Sequence, residues 1–171
     1  MPQAGFWAVG GYAISFRKDG AWYADEERIR NSRIQLLFSR SLRRDDRAGA
    51  PALPRYTGWL LDVGVDRQPV TVEDTPLVVS GLDGDPDEGF TIRTNDGESG
   101  PLDCDTLRIG EGEVLYCTVD RGDRGLLPAR FLRPAYYRIA RFVEWEDGRP
   151  LLRSCGRKWV LGPRQDRVAE P

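Results

Sequence analysis

Residues 12–24 read Tyr12-Ala13-Ile14-Ser15-Phe16-Arg17-Lys18-Asp19-Gly20-Ala21-Trp22-Tyr23-Ala24. Tyr12, Ile14 and Phe16 alternate with smaller residues and so share one face of an extended strand. Asp19-Gly20 follows, and Asp-Gly is a strong short-range hairpin signal. Ala21–Ala24 returns as a second strand, with Trp22 and Tyr23 on opposite faces. Asp25–Arg28 reads as a charged turn.

Downstream the period changes. Asn31 is suited to cap a helix. After it Ile34, Leu37, Phe38, Ser41 and Leu42 fall on one helical face, flanked by Arg33, Arg40 and Arg44. This predicts a first helix over 31–43. Arg43–Pro54 is charged, rich in Ala, Gly and Pro, and aperiodic, as expected of a mobile loop. From 56 to 120 no helix longer than two turns is predicted. Short β-like runs recur at 59–63, 69–72, 77–80, 90–93 and 114–119. Clusters such as 81–87 and Asn95-Asp96-Gly97 separate them, which reads as an antiparallel meander. Asp103–Leu107 reads as a single helical turn.

Arg121-Gly122-Asp123-Arg124-Gly125 is a tight polar connection. Leu127, Phe131 and Ala135 predict a second helix over 127–139, with Pro128 in its first turn and Pro134 kinking it. Three strands close the chain at 142–145, 151–153 and 158–161. Their turns are Asp147-Gly148 and Cys155-Gly156. Each end of the chain thus joins one helix to an Asp-Gly hairpin, which makes two similar lobes conceivable.

Composition narrows the chemistry. The chain has 171 residues and no apolar run near ~20, so no predicted segment spans a bilayer. It contains no histidine, which removes Ser-His-Asp and Cys-His catalysis and His-ligated zinc. Cys104, Cys117 and Cys155 are odd in number and lack C-x-x-C spacing. They read as reduced and mostly buried, and the chain as cytoplasmic, with no cofactor and no metal site. Net charge is −2, but unevenly spread: +4 over 1–61, −12 over 62–120 and +7 over 121–167. Either the segments interleave their charges on folding, or the basic ends steer an anionic partner. Of the 25 basic residues only Lys18 and Lys158 are lysine. Arginine suits carboxylate and phosphate binding.

Three constellations stand out, each with two readings. Glu73 and Asp74 in Val72-Glu73-Asp74-Thr75-Pro76 are either a polar turn ahead of Pro76 or paired carboxylates for acid–base work. The 121–125 loop is either a plain connection or an anion cradle. Tyr136-Tyr137 offers one buried and one more exposed ring, for packing or for stacking on a base or sugar. Trp7, outside any pattern, could anchor a partner.

Several strings occur together and in order: Asp19-Gly20-x-Trp22-Tyr23-x-Asp25, Ile29-Arg30-Asn31, Leu37-Phe38-Ser39-Arg40-x-Leu42-Arg43, Val72-Glu73-Asp74-x-Pro76-Leu77-Val78, Leu115-Tyr116 and Gly156-Arg157-Lys158-Trp159-x-Leu161. The ordered set resembles uncharacterised protein family 0598, also called domain of unknown function 4505. A similar layout occurs in domain of unknown function 1285, which implies two lobes of sheet plus helix, each reminiscent of pleckstrin-homology folds. Val63-Gly64-Val65-Asp66-Arg67 stands where the first family has a cysteine-containing string, so no thiol role carries over. Neither family supplies a reaction.

The expectation is an α+β protein of antiparallel β-sheets with two packed α-helices, forming one domain over 12–162, in one or two lobes. Residues 1–11 form an N-terminal segment and 163–171 a flexible tail. Trp22, Ile34, Leu37, Phe38, Val78, Ile92, Leu115, Phe131, Tyr136, Phe142 and Trp159 are expected in the core. The first functional expectation is a non-catalytic binding or scaffold module for an anionic ligand or protein partner, with Arg40, Arg44, Arg67, Arg121, Arg124 and Arg130 as contacts. The second is a histidine-free enzyme using Glu73 or Asp74 with Arg67 or Arg121. The third, nucleic-acid binding, is disfavoured by the pI of about 5.3.

Overall fold

The computed structural model describes residues 11–45, 58–64 and 67–163. Trp7, most of the 43–54 loop, Asp66 and the tail from 164 lie outside the described residues. Among the described residues the fold is α+β, with three sheets and two α-helices. It divides into two compact units. Unit 1 runs to Leu77 and includes Asn95–Gly97; unit 2 holds Val78–Thr94 and Glu98 onward.

Unit 1 contains the hairpin β1 (Ile14–Phe16) and β2 (Trp22–Ala24), then β3 (Glu27–Arg28), α1 (Ser32–Ser41), β4 (Leu42–Arg44), β5 (Trp59–Asp62) and β6 (Arg67–Val72). Its sheet order is β3-β2-β1-β6-β5-β4, with β1 and β6 parallel and the other pairs antiparallel. Gly20 takes φ +80 in the β1–β2 turn, where Arg17 N donates to Ala21 O across a three-residue loop. The expected turn at 25–28 is shorter than read. Asp25 and Glu26 alone make it, both with positive φ, and β3 follows at once.

Asn31 caps α1 by accepting from Arg33 N at 3.0 Å and Ile34 N at 3.3 Å. Phe38 is buried as expected, whereas Leu37 is 48% exposed. The reason lies in Trp22. Its ring is buried against Phe16 and Phe38, with centroids 5.0 and 5.4 Å away. Its indole N–H needs an acceptor there, and Ser39 Oγ provides one at 2.9 Å. Turning Ser39 inward turns Leu37 outward, because residues two apart on a helix point about 200° from each other. The residues after the helix are not loop: Leu42–Arg44 form β4, paired with β5.

Unit 2 holds β7 (Leu77–Asp85) from its second residue on, β8 (Gly89–Thr94), β9 (Ser99–Pro101), β10 (Arg108–Ile109), β11 (Leu115–Asp120), β12 (Leu126–Phe131), α2 (Arg133–Ala140) and β16 (Gly162–Pro163). Its main sheet has the order β16-β10-β11-β12-β7-β8-β9, with β10 and β16 parallel. A separate antiparallel sheet comprises β13 (Val143–Glu146), β14 (Arg149–Ser154) and β15 (Arg157–Val160). The cluster 81–87 is mostly strand, since β7 continues to Asp85. Gly84, with φ +95, permits this: a Cβ there would lie 2.1 Å from Gly89 O.

The predicted helix over 127–139 is divided between two elements. Leu127, Ala129 and Phe131 are buried while Pro128 and Arg130 are less so, which is the period of a strand. Residues i and i+4 share a face in both a strand and a helix, so Leu127 and Phe131 suited either reading. Pro134 is the second residue of α2, where its missing N–H costs no helical bond. It starts the helix rather than kinking it. Val78, Ile92 and Leu115 are buried as expected, and Ile34, Tyr136, Phe142 and Trp159 are half-buried.

Candidate functional site

In unit 1, Glu73 follows β6 beside the turn of the first hairpin. Its carboxylate accepts from Lys18 N at 2.8 Å and lies 3.7 Å from Lys18 Nζ. Asp74 is half-buried in the next turn. Arg67 pairs across the strands with Asp62 at 3.1 Å. Arg40 donates from Nε to Asp96 O at 2.9 Å. Arg44 lies over the Trp59 ring at 4.9 Å. Arg67 and Arg44 thus cover their own strands, and Arg40 fastens the Asn95–Gly97 turn to α1.

In unit 2, Arg121 follows β11, and its side chain is 8% exposed. It donates to Thr94 Oγ1 at 2.5 Å and lies 3.7 Å from Glu98. Arg130 donates to Tyr116 Oη at 3.4 Å, its cross-strand neighbour. Arg124 is half-buried in the 3-10 turn 122–124. Among the described residues no group of three or more Cys, Asp or Glu side chains is placed to hold a metal. No described helix is long and apolar enough to cross a membrane.

The three thiols are free. Burial pushes the Cys104 thiol up, and it pushes Cys117 up to about 12. Cys104 and Cys117 are buried, in keeping with a mostly buried set, and Cys155 is exposed because it occupies a two-residue turn between β14 and β15. One thiol of the three should therefore react with an aromatic disulfide reagent in the folded protein, and all three after unfolding. The sign of the pH effect follows. An unfolded thiol loses its proton near pH ~8.5. Above that the unfolded chain sheds a proton that folded Cys117 keeps. Stability should fall between about pH 9 and 12, approaching ~1.4 kcal/mol per pH unit from this group. Urea unfolding at pH 8 and pH 10 measures it.

A cavity of about 350 Å³ opens in unit 2. The end of α2 supplies Tyr136, Ile139 and Ala140. One face of the terminal sheet supplies Val143, Trp145 and Pro150, which strand register places together. Ile109, Glu113, Leu115 and Leu161 complete the lining. Trp145 is 72% exposed on β13. The opposite face of that sheet carries the ion pairs Arg153–Glu144 at 2.9 Å and Lys158–Glu146 at 3.0 Å. The sequence displayed both rings, Tyr136 in the Tyr136-Tyr137 pair read for packing or for stacking and Trp145 as a strand residue. It gave no sign of the cleft, because Ile109, Glu113 and Leu161 reach it only through the β10–β11 and β10–β16 pairings.

This architecture has solved counterparts. A DUF1285 family protein from Silicibacter pomeroyi matches with a TM-score of 0.62 and 22% identity, over 86% of this chain and 78% of that one. A second, from Shewanella baltica, matches with a TM-score of 0.54 and 19% identity, over 77% and 92%. The chain shares their fold. The layout likeness to DUF1285 proteins read from the sequence therefore holds at that level. No family model and no curated protein matches the chain, so the likeness to family 0598 has no support.

Proposed function

We propose that the chain is a non-catalytic binding module whose ligand enters the unit 2 cleft. The observation that carries this reading is Trp145, an indole 72% exposed beside a cavity of about 350 Å³. Small-molecule sites begin near ~300 Å³ and are mostly apolar with few polar groups. Leaving a large ring in water forgoes ~1.5–3 kcal/mol of burial, which a ligand covering it would recover.

The anionic form of this reading, with Arg40, Arg44, Arg67, Arg121, Arg124 and Arg130 as contacts, has less behind it. The contacts given above engage Arg40, Arg44, Arg67, Arg121 and Arg130 within the protein, and Arg124 has an interaction of its own there. An enzyme built on Glu73 would first have to release it from Lys18. Nucleic-acid binding would have to use an exposed basic stripe together with Tyr137, which is 62% exposed. Three free thiols favour a cytoplasmic setting. A pleckstrin-homology-like reading of each unit accords with one helix and one many-stranded sheet in each.

A neutral solvatochromic dye, Nile red, tests the cleft. Its emission should rise and shift to the blue with the native protein. Ala140→Trp, at an exposed position on the last turn of α2, should fill the cavity and abolish the change while the circular dichroism stays native. Dye binding that survives Ala140→Trp, or no binding to the native protein, defeats the proposal.

A further inference from the structure

We infer that the cleft selects a small organic cation, an apolar body of about a dozen non-hydrogen atoms carrying one protonated amine. This rests on the cleft being the binding site proposed above. The size follows from the cavity: about 350 Å³ at ~30 Å³ per water-sized group.

The charge follows from three features of the lining. Glu113 is the single charged side chain among the described residues that line it. Among the described residues it takes part in no hydrogen bond or ion pair, although the protein is rich in arginine. Second, α2 ends there with Ile139 and Ala140, and the C-terminal end of a helix carries the negative end of its dipole. Third, Trp145 and Tyr136 present rings, whose π faces attract ammonium groups. Three neighbouring basic groups are held elsewhere: Arg108 donates to Asp105 O and Leu107 O, Arg138 of α2 lies 3.7 Å from Asp83, and Lys158 is held by Glu146 on the other face of the terminal sheet. An ammonium thus meets a carboxylate, a helix terminus and two rings, while an anion meets the same groups with the wrong sign.

Isothermal titration with three matched probes tests the inference: 2-(1-naphthyl)ethylammonium, 2-(1-naphthyl)ethanol and 1-naphthylacetate. The ammonium should bind about tenfold more tightly than the alcohol, the sum of a partly exposed ion pair and a cation–π contact. The acetate should bind most weakly. Glu113→Gln lies in an exposed turn and should cut the ammonium's advantage over the alcohol to about threefold, the share left to the cation–π contact. Ala140→Trp should weaken all three. Equal binding of ammonium and alcohol, a preference for the acetate, or a preference that Glu113→Gln leaves intact overturns the charge selection while the cleft stands. Binding of no probe, or binding indifferent to Ala140→Trp, removes the cleft and the charge selection together.

Discussion

Trp22→Ala is expected to cost about 3–5 kcal/mol of unfolding free energy, the range for truncating a large buried aromatic. Trp22 combines two interactions that alanine cannot replace. Its ring fills the space between Phe16 and Phe38. Its N–H is bound to Ser39 Oγ, which also accepts from Asn95 Nδ2 at 2.9 Å. Trp22→Phe separates the two contributions, since it keeps an aromatic ring and removes the donor. Its cost should be clearly smaller, about 1–3 kcal/mol, with the loss concentrated in the hydrogen bond and the residual gap. Urea midpoints for both variants measure this. Equal losses would mean that the Ser39 bond, and not the ring, dominates.

Arg121→Ala should cost about 2–3 kcal/mol, although arginine substitutions on protein surfaces are usually near neutral. The guanidinium is 8% exposed, so its bond to Thr94 is charge-assisted and shielded from water. Glu98 is itself 55% exposed and can regain water, which keeps the estimate below the cost of breaking a fully buried pair. Arg121→Lys should recover only part of the loss, because a single ammonium cannot reproduce the fork that addresses Thr94 Oγ1 and Glu98 together. Thermal and urea unfolding provide the measurement. A loss under about 0.5 kcal/mol for Arg121→Ala would place this arginine among ordinary surface residues and restore it as a candidate for ligand contact.

Local signals were read well where chemistry and backbone geometry coincide. Asp147-Gly148 and Cys155-Gly156 make two-residue turns in which both residues have positive φ, and glycine at the second position announced them. Asp25-Glu26 makes the same kind of turn without a glycine, so β3 went unseen and the whole of Asp25–Arg28 read as a charged turn. Asn31 marked the start of α1 because its side chain does the capping. The strand at 126–131 was lost because Leu127 and Phe131 satisfy two periods at once. Leu37 was misplaced because a polar demand from Trp22, seventeen residues away from Ser39, turned the helix.

The candidate site was less legible for a related reason. The acidic and basic strings that drew attention in the sequence are largely satisfied by close partners, as with Glu73 on Lys18 and Arg67 on Asp62. Glu113 lies in an unremarkable Glu111-Gly112-Glu113 string, and its importance depends on which walls surround it. Those walls come from α2, from the β13–β14 hairpin and from the region of β10, contacts that no local pattern encodes.

The parallel pairing of β16 with β10 has a thermodynamic corollary. Leu161 belongs to the cleft lining and is also the residue that leads into β16. Occupancy of the cleft and docking of that final strand are therefore linked equilibria. A ligand that needs Leu161 in place will shift the docking equilibrium of Gly162 and Pro163 on Arg108 and Ile109 toward the paired state, and docking of the strand will tighten the ligand by the same factor.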